Sequence, residues 1–496
     1  MQLMNAEWLV MGRSFHVKRR ATVFIAMIAL TDFLIFKQAP GFNLFLLSIS
    51  LAAAVLLTAR KRPSPTVAAL YLGLSALAVA PLLEAPSVSG FILSMMAIIL
   101  IALRSARLLP KTPSAIPLTL LRFMPVILIR LPETCRFYLR SHSGRTIFGT
   151  VLKSLTGWML PLAMGVVFLL LFSAANPLIE MGLHNIDLRF MLNFLDIGRF
   201  AFWLVAATFI WAVMRPRLLR KCRRSSINVK TDNPASRFLD HTALVRCLLI
   251  FNLLFALQTL LDLMYLWCGA ELPSGMSHAE YVHRGAYPLV ATALLAAAFV
   301  LIAMRRGGPG DTSRLIRTLV IAWILQNVML CLSSILRLDL YVETYSLTGL
   351  RFAAGIWMGL VATGLVFILL QIASRRSNEW LISMNLVTLA TVLYLGAFFD
   401  SSGFIARFNV ENSMEVGQQG PPLDIQYLAS LGPSAIPAID LYLSATSDDN
   451  DKRRFASFAR QRLAARFEAR SQDWRSWSYR AHRMENYLRS AALIER

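Results

Sequence analysis

Charge is scarce in this sequence: only 16% of its 496 residues are Asp, Glu, Lys or Arg, and the acidic ones number 28 against 50 basic. A mixture so lean does not coat a water-soluble surface of this length. Cysteine is sparser still. The five present (Cys135, Cys222, Cys247, Cys268, Cys331) form no C-x-x-C pair, which argues against a disulfide framework and a cysteine-based zinc site. A Walker loop, a G-x-S-x-G elbow, a G-x-G-x-x-G turn and an EF-hand loop are all missing, so no catalytic residue, cofactor or metal is assigned. The nearest approach to a metal motif, His278-Ala279-Glu280-Tyr281-Val282-His283, sets its histidines five apart. On a helix they diverge by about 140°, unlike the i,i+4 pair that zinc takes.

What is abundant is apolar: 56% of residues are hydrophobic and the mean hydropathy is +0.56. A hydrocarbon core of about 30 Å takes roughly 17–25 apolar residues in a helix rising about 1.5 Å per residue. Runs of about that length occur at 21–36, 42–59, 67–83, 88–103, 155–175, 200–214, 248–268, 286–303, 315–336, 352–372 and 380–399. The expected fold class is therefore all-α, a polytopic transmembrane helical bundle of about 11 helices with a small α-helical extramembrane C-terminal region. The first run follows Lys18-Arg19-Arg20 like a signal peptide, but Lys37-Gln38-Ala39-Pro40 offers no small-x-small cleavage pattern, and it reads as a retained helix.

Basic residues sort by alternate loops. One set, from Arg13 to the pair Arg375-Arg376, holds about thirty-one of them; the other holds six, Lys37, Arg189, Arg199, Arg284, Arg337 and Arg351. Short basic loops stay cytoplasmic, so the N-terminus is expected inside and, after an odd number of crossings, the C-terminus outside. The same sorting accounts for the net charge of +22 without nucleic acid, and makes anionic lipid the partner of the Arg-rich loops. The organisation that follows is a cytoplasmic segment 1–20, helices 1–4 over 21–103, a cytoplasmic loop 104–154, helices 5–11 over 155–399 and an extramembrane region 400–496. Within the loop, the apolar stretch 116–131 carries Pro117, Arg122, Pro125 and Arg130, and is expected to lie at the interface rather than to span. Near the C-terminus, Phe455, Ala459, Leu463 and Phe467 recur every four residues, the stripe of an amphipathic helix, and a last helix is expected near 483–494.

Intramembrane polar residues are expensive and mark sites by default. Asn252, Gln258 and Asp262 lie on one apolar run, and Gln258 and Asp262 share a helix face. Asp262 either bonds a neighbouring helix, for example through Gln326 or Asn327, stays protonated, or handles a proton, ion or ligand. Asp32 on the first run raises the same question. Glu280, Arg284, Arg337 and Glu343 fall on the same side of the membrane, in loops, and with Asp262 are expected to gather around one outward-facing polar vestibule.

The stretch 252–409 resembles a family of bacterial multipass membrane proteins catalogued as domain of unknown function 4173, with a close sibling catalogued as 4153. The resemblance rests on Ala279-Glu280-Tyr281 followed by Arg284-Gly285, on Arg337-Leu338 with Leu340-Tyr341, and on Leu431-Gly432-Pro433 with Ala435-Ile436-Pro437. It implies a bacterial inner membrane and a helical fold, and no activity. The expected role is a non-enzymatic transporter-like, sensor or envelope scaffold protein whose C-terminal region meets an envelope partner. The alternative is a membrane-embedded enzyme acting on lipid-linked envelope substrates, with Asp262, Glu280 and Glu343 as its acids and bases.

Overall fold

A computed structural model of the chain describes residues 2–59, 63–140, 161, 164–165, 196–218, 241–268, 313–418, 420–446, 451–470 and 473–494. Among them all regular structure is helical, and six helices are long and apolar enough to cross a membrane. Three shorter apolar helices accompany them, Phe42–Thr58, Pro65–Val79 and Gly198–Met214. The chain is thus an all-α polytopic bundle. The expected span 286–303 lies outside the described residues, as does 155–175 apart from residues 161, 164 and 165. The chain divides into two compact units, one of residues 1–111, 115–221 and 473–478, the other of 112–114, 222–472 and 479–496.

Apolar runs become separate helices here because most open on a side chain that accepts a backbone N–H. Ser64, Ser87, Asp196, Ser313, Thr348, Ser377, Asp400 and Asp424 all cap in this way. Each satisfies a backbone donor at a helix start, and in the membrane helices it is one that lipid cannot satisfy. At the other ends, Lys37, Arg107 and Arg375 turn the chain with left-handed backbone, φ 55°, 58° and 50°.

The first unit holds α1 (Gln2–Ile35), α2 (Phe42–Thr58), α3 (Pro65–Val79), the single turn α4 (Pro81–Glu84), α5 (Val88–Ser105), α6 (Ile116–Arg140) and α7 (Ile197–Met214). Its core joins Met27 of α1, Leu51, Ala54 and Val55 of α2, Ile98 and Ala102 of α5, and Ile210, Val213 and Met214 of α7. The buried alanines let these backbones approach, since close packing rather than the hydrophobic effect holds helices together in lipid. Helix α7 runs antiparallel to α1: Asp32 meets Arg199 near one end, and the Phe24 and Trp211 rings meet 4.9 Å apart near the other. It runs parallel to α5, whose C-terminal turns share its own C-terminal core. The stretch 116–131 belongs to a 25-residue helix that continues through Pro125 and Pro132.

The second unit begins with α8 (His241–Asp262), which passes into a π turn at Leu263–Trp267. It continues through α9 (Arg314–Tyr345), α10 (Gly349–Ala373) and α11 (Asn378–Phe398). Helices α8 and α9 are parallel, with Leu244 and Leu248 against Ile316 and Val320, and with Phe251 stacked on Trp323 at 5.0 Å. Helix α9 runs nine residues past its expected end at 336, so Arg337, Asp339 and Glu343 are helical rather than in a loop. The helix can continue because Arg337, the first charge met there, is neutralised by Asp262.

The C-terminal region folds around its own core. Helices α12 (Ser401–Glu411), α13 (Ile425–Ser430), α14 (Ile436–Ala445) and α15 (Asp451–Glu468) bury Val410, Leu428, Ile436, Ile439, Tyr442 and Leu463 together, and α16 (Tyr479–Ile494) packs on them. The buried stripe of α15 is Ala456, Ala459 and Leu463; Phe455, expected to lie on it, faces out, and Ala456 beside it takes the buried position in the core shared with α14. Asp440 ties the helices, accepting from Arg460 Nε at 2.9 Å and from the Tyr487 hydroxyl at 3.0 Å. Burial and that carboxylate push the Tyr487 phenol up to about 12. The region is fastened to the α9–α10 turn. Asn409 of α12 accepts from Leu347 N at 2.8 Å and donates to Leu347 O at 2.9 Å, and the Tyr427 hydroxyl accepts from Gly349 N.

Candidate functional site

The polar side chains expected on α8 form a seam against α9. At its foot, Asn252 Nδ2 donates to Leu248 O at 2.8 Å and across the seam to Leu319 O at 3.0 Å, while Gln326 Nε2 of α9 returns a bond to Asn252 O at 3.2 Å. Asp262 lies about 15 Å further along at about 1.5 Å per residue. Its Oδ1 accepts from Gln258 Nε2 at 2.9 Å and from Arg337 Nη2 of α9. Both members of the ion pair are buried, with side chains 1% and 3% exposed. Oδ2 of Asp262 has no hydrogen bond among the described residues. Immediately beyond, the π turn swings Trp267 so that its Nε1 donates to Ser333 of α9 at 3.2 Å. Single π turns of this kind re-aim side chains inside helices, often at functional sites.

Of the residues singled out in the sequence, Gln258, Asp262 and Arg337 come together, and Asn252 lies on the same seam. Glu343 is exposed on α9, as is Asp339, and neither joins the pair. Glu280 and Arg284 lie outside the described residues. The partner of Asp262 is Arg337 rather than Gln326 or Asn327, whose side chains donate instead to backbone carbonyls. Arg351 closes α9, donating to Tyr345 O at 2.7 Å with its guanidinium 4.4 Å from the Tyr341 ring.

The first unit carries a second polar cluster. Asp32 receives Nε of Arg199 at 3.0 Å and Nε1 of Trp203 at 2.8 Å, and Lys37 pairs with Asp196 at 2.8 Å. Asp32, Lys37, Asp196 and Arg199 line, with Arg475, a cavity of about 440 Å³. Arg475 belongs to a short segment between α15 and α16. Asp473–Ser478 packs on the α1–α2 turn, where Phe42 N–H donates to Trp477 O at 2.8 Å and Arg475 donates to Phe33 O at 2.7 Å. Gly41 makes the approach possible, since a Cβ there would overlap the Ser476 backbone. Fully buried Asn43 holds the turn, accepting from Gly41 N at 2.8 Å and donating to Leu34 O at 2.8 Å. The signal was present as Pro40-Gly41 and paired tryptophans, but nothing in spacing joins positions more than four hundred residues apart.

Over residues 22–442 the chain matches the family described as Domain of unknown function (DUF4153). The chain belongs to that family. It is the sibling of the family first named on the Glu280-Tyr281 and Arg337-Leu338 residues, and the match starts in α1 rather than at residue 252. No curated protein and no solved structure matches the chain. Family and fold together make it an integral membrane protein, and the family description carries no activity.

Proposed function

We propose that this is a non-enzymatic protein of the bacterial inner membrane, a scaffold or sensor that acts through its C-terminal helical region, with its N-terminus in the cytoplasm and that region in the periplasm. The observation that carries the reading is how the intramembrane charges are used. Asp262 and Arg337, both buried, neutralise each other across the α8–α9 seam. A carrier or a lipid-processing enzyme needs such groups to face a substrate, whereas a scaffold needs only rigidity. The C-terminal region, by contrast, has a core of its own and exposes Phe455 and Phe458 on α15. Its attachment to the α9–α10 turn, in a loop set that carries few basic residues, supports the periplasmic assignment. Alkaline phosphatase fused after Arg496 is then active and green fluorescent protein there is dark.

The functional test uses complementation of a deletion strain under envelope stress. Phe455→Ser with Phe458→Ser alters the surface of α15 without touching its buried stripe, and is expected to abolish complementation at normal abundance and thermal stability. Full complementation by that variant would overturn the reading.

A further inference from the structure

We infer that α6 lies in the plane of the membrane, at the end of the bundle where α5 and α7 finish, seated in the headgroup and acyl boundary of a leaflet rich in anionic phospholipid. The first argument is parity. Helices α5 and α7 are parallel, so the chain from Ser105 to Ile197 begins at one end of the bundle and finishes at the other. It must make an odd number of crossings. Two apolar stretches compete for the crossing, α6 and the run 155–175, and only the second is free of charged residues. If both crossed, α7 would start at the wrong end.

Contacts give the second argument. Leu120, Phe123 and Val126 of α6 are buried against Ile99 and Leu103 of α5 and Ala212 of α7. Further along, Arg130 Nε donates to Arg215 O at 3.2 Å, Trp211 Nε1 donates to Thr134 at 3.0 Å, and Glu133 pairs with Arg217 at 3.0 Å. From Leu120 to Thr134 α6 advances about 21 Å at about 1.5 Å per residue. Over all of that length these partners stay within the last turns of α5 and α7 and the residues just after them. A helix running alongside α7 would reach its first turns instead.

The opposite face of α6 is apolar and open: Leu118, Leu121 and Leu128 are at least half exposed. Arg122 and Arg136 flank it, and residues 104–137 hold six basic side chains against the single acid Glu133. An in-plane helix with an apolar face and flanking arginines meets acyl chains with one side and phosphates with the other. Length and composition alone would let α6 span, so the test has to read depth.

Leu118→Cys, Leu121→Cys and Leu128→Cys, placed one at a time in the full-length chain with its native cysteines changed to serine, are labelled with bimane and reconstituted in phosphatidylethanolamine–phosphatidylglycerol vesicles. Quenching by lipids brominated at graded positions gives the depth of each label. An in-plane α6 sets all three at one shallow depth, about 5–10 Å below the headgroups. A spanning helix spreads them over about 15 Å at about 1.5 Å per residue, and that result overturns the inference. Brominated phosphatidylglycerol is expected to quench more strongly than brominated phosphatidylcholine, with Arg122→Gln/Arg136→Gln abolishing the preference; equal quenching by the two lipids in the parent chain overturns the anionic assignment.

Discussion

Asp262 and Arg337, on parallel helices, form an ion pair that neither water nor lipid reaches. Removing one partner strands the other charge, at a cost of about 3–5 kcal/mol for a buried pair. Asp262→Ala and Arg337→Ala are each expected to lower thermal stability of the detergent-solubilised protein by that order. Asp262→Asn/Arg337→Gln, which removes both charges and keeps hydrogen-bonding shape, is expected to cost less than either. A double variant as unstable as the sum of the two would contradict the pair.

The contact of Gly41 with Ser476 is set by the absence of a side chain. Gly41→Ala pushes the backbone of 473–478 off the α1–α2 turn, at about 1–3 kcal/mol for an overpacked contact. Hydrogen exchange is expected to accelerate at Trp477 and Phe42, whose backbones are bonded at 2.8 Å, while α12–α14 stay protected. Unchanged exchange would mean that the segment is not held there.

Glu415 supplies a pH dependence in the C-terminal region. Burial works to raise its pKa, but the Lys452 ammonium at 2.8 Å and the Leu423 N–H at 3.0 Å outweigh it and hold the carboxyl below the usual range. A depressed folded-state pKa contributes stability above the unfolded value, about 4.3, and loses it as pH falls through the folded one. The gap in melting temperature between the parent chain and Glu415→Gln is therefore expected to be full near neutrality and to close below about pH 4.3. A gap independent of pH would contradict the assignment.

The long apolar runs and the all-helical fold were legible, because they follow from composition within a window of about twenty residues. Helix ends in the polar seam were not. Arg337 reads as the start of a loop until its partner is known, and that partner lies 75 residues away. On α15 the period placed Ala459 and Leu463 correctly, but whether Phe455 or the neighbouring Ala456 completes the buried stripe depends on tertiary packing that no local period records. Docking of 473–478 on Gly41 is a tertiary fact with no local period.

The central claim, that the intramembrane charges serve rigidity rather than transport or chemistry, is tested most directly by complementation with Asp262→Asn/Arg337→Gln in a deletion strain, normalised to membrane abundance. The account predicts parental complementation per folded molecule. Normal abundance and stability with complementation lost would contradict it, and would assign the pair to a substrate, a proton or an ion.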